Sequence, residues 1–215
     1  MDIMKKLLIT VFIVVVSNYS LNAANFVDDK TLLAIKNKYG PKALKRVQIW
    51  DKVVTKTKQK KTLRKLKNVN DFFNKIPYKT DIKHWKKKDY WATPFEFMGT
   101  GAGDCEDYSI AKYFTLKKLG VKEEKLRIMY VKLIRKRTKY EEAHMVLTYY
   151  DKPTSTPIVL DNVNKKLQLA SKRKDLKPIY SFNAAGLWKA QNKGKTSKKV
   201  GKNNLKSWND LMNRI

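Results

Sequence analysis

The apolar residues of this chain change their spacing at Gly120, and that change limits the folds open to it more than any other feature. Upstream, over residues 28–75, Leu32, Leu33 and Ile35, then Leu44, Val47 and Trp50, then Leu63, Leu66, Val69, Phe72 and Phe73 recur at helical intervals. Gly40 and Pro41 divide the first helix from the second, and Ile76–Pro77 closes the region. An aromatic-rich, irregular connection is expected from Tyr78 to Thr93. From Asp104 a further helix carries Tyr108, Ala111, Phe114, Thr115 and Leu119 on one stripe, with Gly120 as its stop. Downstream the pattern is that of strands. "LRIMYVKLI" (126–134) alternates, "AHMVLTYY" (143–150) is rich in strand formers, and "TPIVLDN" (156–162) is short and apolar. Residues 191–204 are expected to be flexible, ahead of a short amphipathic end, "LKSWNDLMNRI". The fold class that follows is α+β: an N-terminal helical part, a buried helix, then antiparallel strands.

A hydrophobic fraction of 42% over 215 residues, with 5 Trp, 11 Tyr and 8 Phe, suffices for one core and excludes a disordered polycation. One domain is expected over 24–215: a helical part at 24–77, a core at 78–190 and a tail at 191–215. Residues 1–23 read as a secretory signal peptide, with Lys5 and Lys6 ahead of an apolar run from Leu7 to Val16 and a small-residue end at Ala23 and Ala24. That run is too short to span a bilayer. An uncleaved anchor is the alternative, because Leu21 or Asn22 fits the minus-three position poorly. The net charge is +29, and removing residues 1–23 takes away two lysines and one aspartate, leaving about +28. "KTKQKKTLRKLK" (56–67) is the densest basic run. Such runs are usually solvated helix faces, and otherwise attract an acidic protein, an anionic membrane or nucleic acid. No zinc-finger spacing or RNA-recognition signature is present, so nucleic acid is not expected.

The single cysteine, Cys105, lies in "GTGAGDCEDYSIAKYF" (99–114), flanked by Asp104, Glu106 and Asp107. An unpaired cysteine in an exported protein is either buried and inert or chemically used. With Asp104 as N-cap, Cys105 is the first helical residue, where amide dipoles favour a thiolate. Gly99, Gly101 and Gly103 permit the tight turn that presents it. Of the two histidines, His144 lies in a strand-like run and His84 in a polar connection, so His144 is the better candidate base. Asp161 ends the apolar run Ile158–Leu160 as a carboxylate at a strand end. Each of these residues alone has an ordinary structural explanation. The order helix-Cys, strand-His, strand-Asp is less easily accidental.

That order is the core of the papain-like and transglutaminase-like superfamily. "DYWATPFEFMGTGAGDCEDYSIAKYFTLKKLG", followed by "LRIMYVKL", "AHMVLTYY" and "PIVLDN", resembles the bacterial transglutaminase-like cysteine proteinases of the LapG type. "YSFNAAGLW" (180–188) is similar to their C-terminal segment, and the resemblance spans roughly residues 65–190. It implies Cys105 as nucleophile, His144 as general base and acid, and Asp161 as the group orienting the imidazole. Asn162 could be mistaken for the asparagine of papain-type sites, but adjacent strand residues face opposite ways, so only one can serve. The backbone N–H of Cys105 is expected in the oxyanion hole. Trp91 is expected either to wall the site or to pack in the core.

The carboxylates of "GDCED" are explained in part by helix capping, with Asp104 as cap and Asp107 bonding back. Capping leaves Glu106 unexplained, and anions beside a thiol oppose its ionisation. A bound Ca2+ would resolve that conflict, and the resemblance implies calcium held by Asp104 and Glu106, with Asp107 a third ligand. It further implies a periplasmic endopeptidase that cleaves an RTX-type adhesin near its N-terminus, after a di-alanine, and so controls biofilm attachment. A LapD-type inner-membrane receptor for cyclic-di-GMP is the implied partner. The alternatives are a transglutaminase or amidase acting on glutamine side chains, and a non-enzymatic cationic binding module with Cys105 inert.

Overall fold

The computed structural model describes residues 25–135, 138, 140–189 and 198–215. The expected signal peptide and residues 191–197 of the expected flexible segment lie outside that range. Three helices come first: α1 (Asp29–Tyr39), α2 (Pro41–Thr57) and α3 (Thr62–Phe73). Asp28 caps α1, its carboxylate accepting the Thr31 N–H at 2.7 Å. Gly40 turns the chain at φ +84°, and Pro41 occupies the first turn of α2. The apolar stripes meet around Trp50, whose ring lies against those of Phe26, Phe73 and Phe95.

A one-turn helix, α4 (Asp81–His84), interrupts the connection expected to be irregular. Helix α5 (Pro94–Thr100) follows, closed by a capping box in which Thr93 and Glu96 exchange bonds. At seven residues it is too short to display a period, so the sequence pattern did not reveal it. Helix α6 (Cys105–Lys118) matches the expected helix at both ends. It lies across the middle of the molecule, packed on α3 and on the sheet, with only its two ends reaching solvent.

The sheet has seven antiparallel strands in the order β4-β3-β2-β1-β5-β6-β7. They are β1 (Leu126–Ile134), β2 (Glu141–Tyr149), β3 (Ile158–Leu160), β4 (Gln168–Leu169), β5 (Leu176–Asn183), β6 (Gly186–Lys189) and β7 (Lys198–Gly201). The three expected strands are β1, β2 and β3. Strand β5 was hidden by Pro178, which argues against a central strand. The chain accommodates it where the β1–β5 register shifts between Tyr130 and Val131. Strand β7 replaces part of the segment expected to be flexible, pairing with β6. The amphipathic end forms α7 (Lys206–Met212), whose Trp208 is buried against Tyr113, Phe114 and Phe182. One hydrophobic cluster runs through α1–α3, α5, α6, the sheet and α7.

Candidate active site and metal centre

The turn before α6 is built for close approach. Helix α5 ends at Gly101, at φ +73°. A Cβ on Gly103 would stand 2.3 Å from Asp107 Oδ2, so only glycine lets that carboxylate close on the turn. Asp107 accepts the Asp104 N–H at 3.3 Å and the Ala92 N–H at 2.8 Å, and is wholly buried. Tyr78 bridges to Gly103 as a short parallel pair, and the Lys79 N–H donates to the Gly103 carbonyl at 2.8 Å. That pairing carries Asp81 to the start of α6, where its N–H donates to Asp104 Oδ2 at 3.2 Å.

Cys105 is the first residue of α6 and opens onto a cavity of about 430 Å³. His144 lines the same cavity from β2, and Trp91, Tyr130 and Tyr180 are among its other walls. The His144 Nε2 lies 2.9 Å from Asp161 Oδ1, with both side chains buried. The β2–β3 register explains the meeting. Leu147 faces Leu160, so continuing the ladder one residue sets Asp161 across from Val146, diagonal to His144 on the same face. With Nε2 committed to Asp161, Nδ1 is the ring nitrogen left to exchange a proton in the cavity. His84 has no part in this arrangement: it packs edge-on against Trp85 and does not line the cavity. It is Asp161, not Asn162, that bonds the imidazole, and the Asn162 Oδ1 is buried without a partner among the described residues.

Asp161 is held from three further directions. Arg173 donates from Nη2 to Oδ2 at 2.7 Å and also pairs with Asp175. The Val163 N–H donates to Oδ1 at 2.9 Å. Burial alone would raise the Asp161 carboxyl, but His144, Val163 and Arg173 together hold it well below the usual carboxylate range. Asn74 donates to the Asp161 carbonyl at 2.7 Å and accepts from Lys112 of α6 at 2.8 Å. Lys112 is fully enclosed, and burial pushes its ammonium down to about 7. The cysteine-bearing helix and the end of β3 are thus tied by one buried bridge. Arg173, Asn74 and Lys112 were not anticipated; the one signal available was that Lys112 falls on the α6 stripe of Tyr108, Ala111 and Thr115, a lysine on the face expected to be buried.

The acidic groups are under strain. One carboxylate oxygen each from Asp81, Asp104 and Asp107 lies within 4.8 Å of the others, and the same holds for Asp81, Asp89 and Glu106. Asp81 Oδ1 and Asp104 Oδ1 are buried without a partner among the described residues. Burial, then the charge of Glu106, pushes Asp104 up to about 9. Asp81, Glu106 and Asp107 are also raised, in each case chiefly by burial. Sγ of Cys105 donates to Glu106 Oε2 at 3.0 Å, and burial followed by that neighbouring charge pushes the thiol well above its ordinary value. Oxygen-only donors, two of them orphaned, fit a hard divalent cation. Asp104, Glu106 and Asp107 do not form a single set on their own; Asp81 joins Asp104 and Asp107 on one side and Glu106 with Asp89 on the other. Asp81 and Asp89 were not anticipated, because 23 residues separate Asp81 from Asp104 and only the Tyr78–Gly103 pairing brings them together.

The model of one family, the bacterial transglutaminase-like cysteine proteinases, matches residues 43–186. Three solved structures of Legionella pneumophila LapG are each 39% identical to the chain. The EGTA-treated form covers 89% of this chain and 99% of its own at a TM-score of 0.75. The calcium-bound form covers 87% and 99% at 0.72, and a third structure covers 87% and 96% at 0.74. No curated protein matches the chain in sequence.

Proposed function

Because the chain belongs to the bacterial transglutaminase-like cysteine proteinases, we propose that it is a calcium-dependent cysteine endopeptidase with Cys105 as nucleophile. The observation that carries this reading is the buried His144–Asp161 pair at 2.9 Å, opening onto the cavity that Cys105 lines. His144 takes the thiol proton through Nδ1, Asp161 fixes the ring and balances the imidazolium, and the thiolate attacks the peptide carbonyl. Backbone N–H groups at the first turn of α6, that of Cys105 among them, hold the oxyanion. His144 then protonates the leaving amine, and water hydrolyses the thioester.

Asp81, Asp104 and Asp107, with Glu106 and Asp89 beside them, would hold calcium. The positive charge of calcium held there would offset the repulsion among these carboxylates, and with it the negative charge that Glu106 sets beside the thiol. Support comes from the two orphaned aspartate oxygens and from relatives solved both calcium-bound and EGTA-treated. The substrate in this reading is an RTX-type adhesin, cut near its N-terminus after a di-alanine, in the periplasm. A LapD-type cyclic-di-GMP receptor would sequester the enzyme and so set biofilm attachment.

The test is cleavage of the N-terminal segment of an RTX adhesin from the same genome by residues 24–215, followed on gels. Cleavage in calcium, lost in Cys105→Ala and lost in EGTA, is the expected result. Cleavage that persists in EGTA would remove the calcium part, and cleavage by Cys105→Ala would remove the nucleophile.

A further inference from the structure

The basic run at 56–67 takes no part in the chemistry above. It forms the end of α2, the turn and the start of α3. Its seven basic residues have no acidic residue among them, and Lys67 alone makes an ion pair among the described residues, with Asp71. Lys56, Lys58, Lys60, Lys61 and Arg64 are all exposed. So is Leu63, at 62%, an apolar side chain among lysines. The run's place follows from two contacts. Lys112 meets Asn74 near the end of α3, whereas Lys65 near its start donates to the Leu119 carbonyl at 2.6 Å. Helix α3 is therefore antiparallel to α6, and the turn lies beyond the C-terminal end of α6, where exposed Lys118 and Lys122 add to it. Glu123 is occupied by Lys117 and Asp151 by Lys125, and Glu124 is a further exposed carboxylate nearby. Cys105 is at the other end of the same helix, about 20 Å away.

We propose that this pole docks the protein on an anionic phospholipid surface, with the catalytic cavity directed away from the bilayer. Lysines are point charges suited to a diffuse layer of headgroups, and the run has only one arginine for bidentate recognition. Nucleic acid is disfavoured because the run has no aromatic side chain on which a base could stack. Leu63 gives the pole an apolar tip that can enter the headgroup layer.

The test uses residues 24–215, which contain every described element and lack the apolar run at 7–16 that would bind any vesicle. Co-sedimentation is measured with phosphatidylcholine vesicles with and without phosphatidylglycerol. Binding is expected only to the anionic vesicles, released by salt. Lys58→Gln/Lys60→Gln/Lys61→Gln should weaken it by roughly 100-fold. The charge-matched Lys75→Gln/Lys79→Gln/Lys83→Gln should weaken it by no more than about threefold, because those exposed lysines lie toward the N-terminal end of α6, where Lys79 pairs with Gly103 and Asp81 with Asp104. Leu63→Ser should reduce the binding that survives in salt. Equal losses in the two triple variants would overturn the proposal in favour of net charge. An absence of vesicle binding would also overturn it, as would pole-dependent binding to polyglutamate or single-stranded DNA but not to vesicles.

Discussion

Helix α6 joins two concentrations of charge that differ in how water reaches them. At its N-terminal end Asp81, Asp104 and Asp107 are 3%, 7% and 0% exposed and crowd within a few ångströms of one another. At its C-terminal end Lys58, Lys60 and Lys61 stand in solvent with no ion pair among the described residues. Exposed like charges repel weakly through water and salt, whereas buried ones must take up protons, find partners or bind a counter-ion. Charge number alone would make the lysine pole the more consequential region. Burial reverses that order.

The largest effect should separate the two ends by chemistry. His144→Ala should lower cleavage by on the order of 10⁴-fold, while the triple lysine-to-glutamine variant of the pole cleaves a soluble peptide within about twofold of wild type. Comparable losses in both would break the comparison.

Next comes the response to calcium. At about 100 times its dissociation constant the ion should stabilise the fold by about 2.7 kcal/mol, seen in calorimetry as roughly 5–10 °C in Tm. Asp81→Asn with Asp104→Asn should erase that shift.

The pH dependence sharpens this. Asp104 is pushed up to about 9, so between an unfolded value near 4 and that pH the folded state binds the extra proton. Stability of the calcium-free protein should therefore fall as pH rises from about 5 to about 7, and above 7 Lys112, pushed down to about 7, opposes the continuing loss from Asp104. Calcium should flatten the slope, as thermal melts across that range would show. Asp161 acts in the opposite sense: held below its usual range, it contributes stability at neutral pH that is lost only in strong acid.

Asn74→Ala would leave the buried Lys112 ammonium and the Asp161 carbonyl unpartnered, at a cost of about 2 kcal/mol in denaturant unfolding. The smallest expected effect is at the pole, where the triple glutamine variant should change stability by no more than about 0.5 kcal/mol.

Where a structural signal is local, the sequence was a sufficient guide. Helix α6 and strand β1 have their expected bounds because each carries its own period and its own stop. Cys105, His144 and Asp161 could be singled out as candidates because a cysteine at a helix start, a histidine on a strand and a carboxylate at a strand end leave residue-level traces, and the structure sets Cys105 and His144 on one cavity with Asp161 bonded to the imidazole. Asp81 and Arg173 could not, since each reaches the site through a tertiary pairing: Tyr78 with Gly103, and the return of the chain after β4. Strand β5 was obscured by Pro178, tolerated through a register shift that belongs to β1 and β5 together. Glu106 was legible as a residue that capping did not explain, but its companions Asp81 and Asp89 were not.

The sole cysteine makes one measurement unambiguous: the rate of Cys105 alkylation by iodoacetamide at neutral pH, followed by intact mass, in calcium and in EGTA. With carboxylates and thiol arranged as they are, alkylation should be fast in calcium, slow in EGTA, and slow in both for Asp81→Asn with Asp104→Asn. Equal rates in calcium and EGTA would contradict the account, because the acidic cluster would then have no hold on the nucleophile beside it.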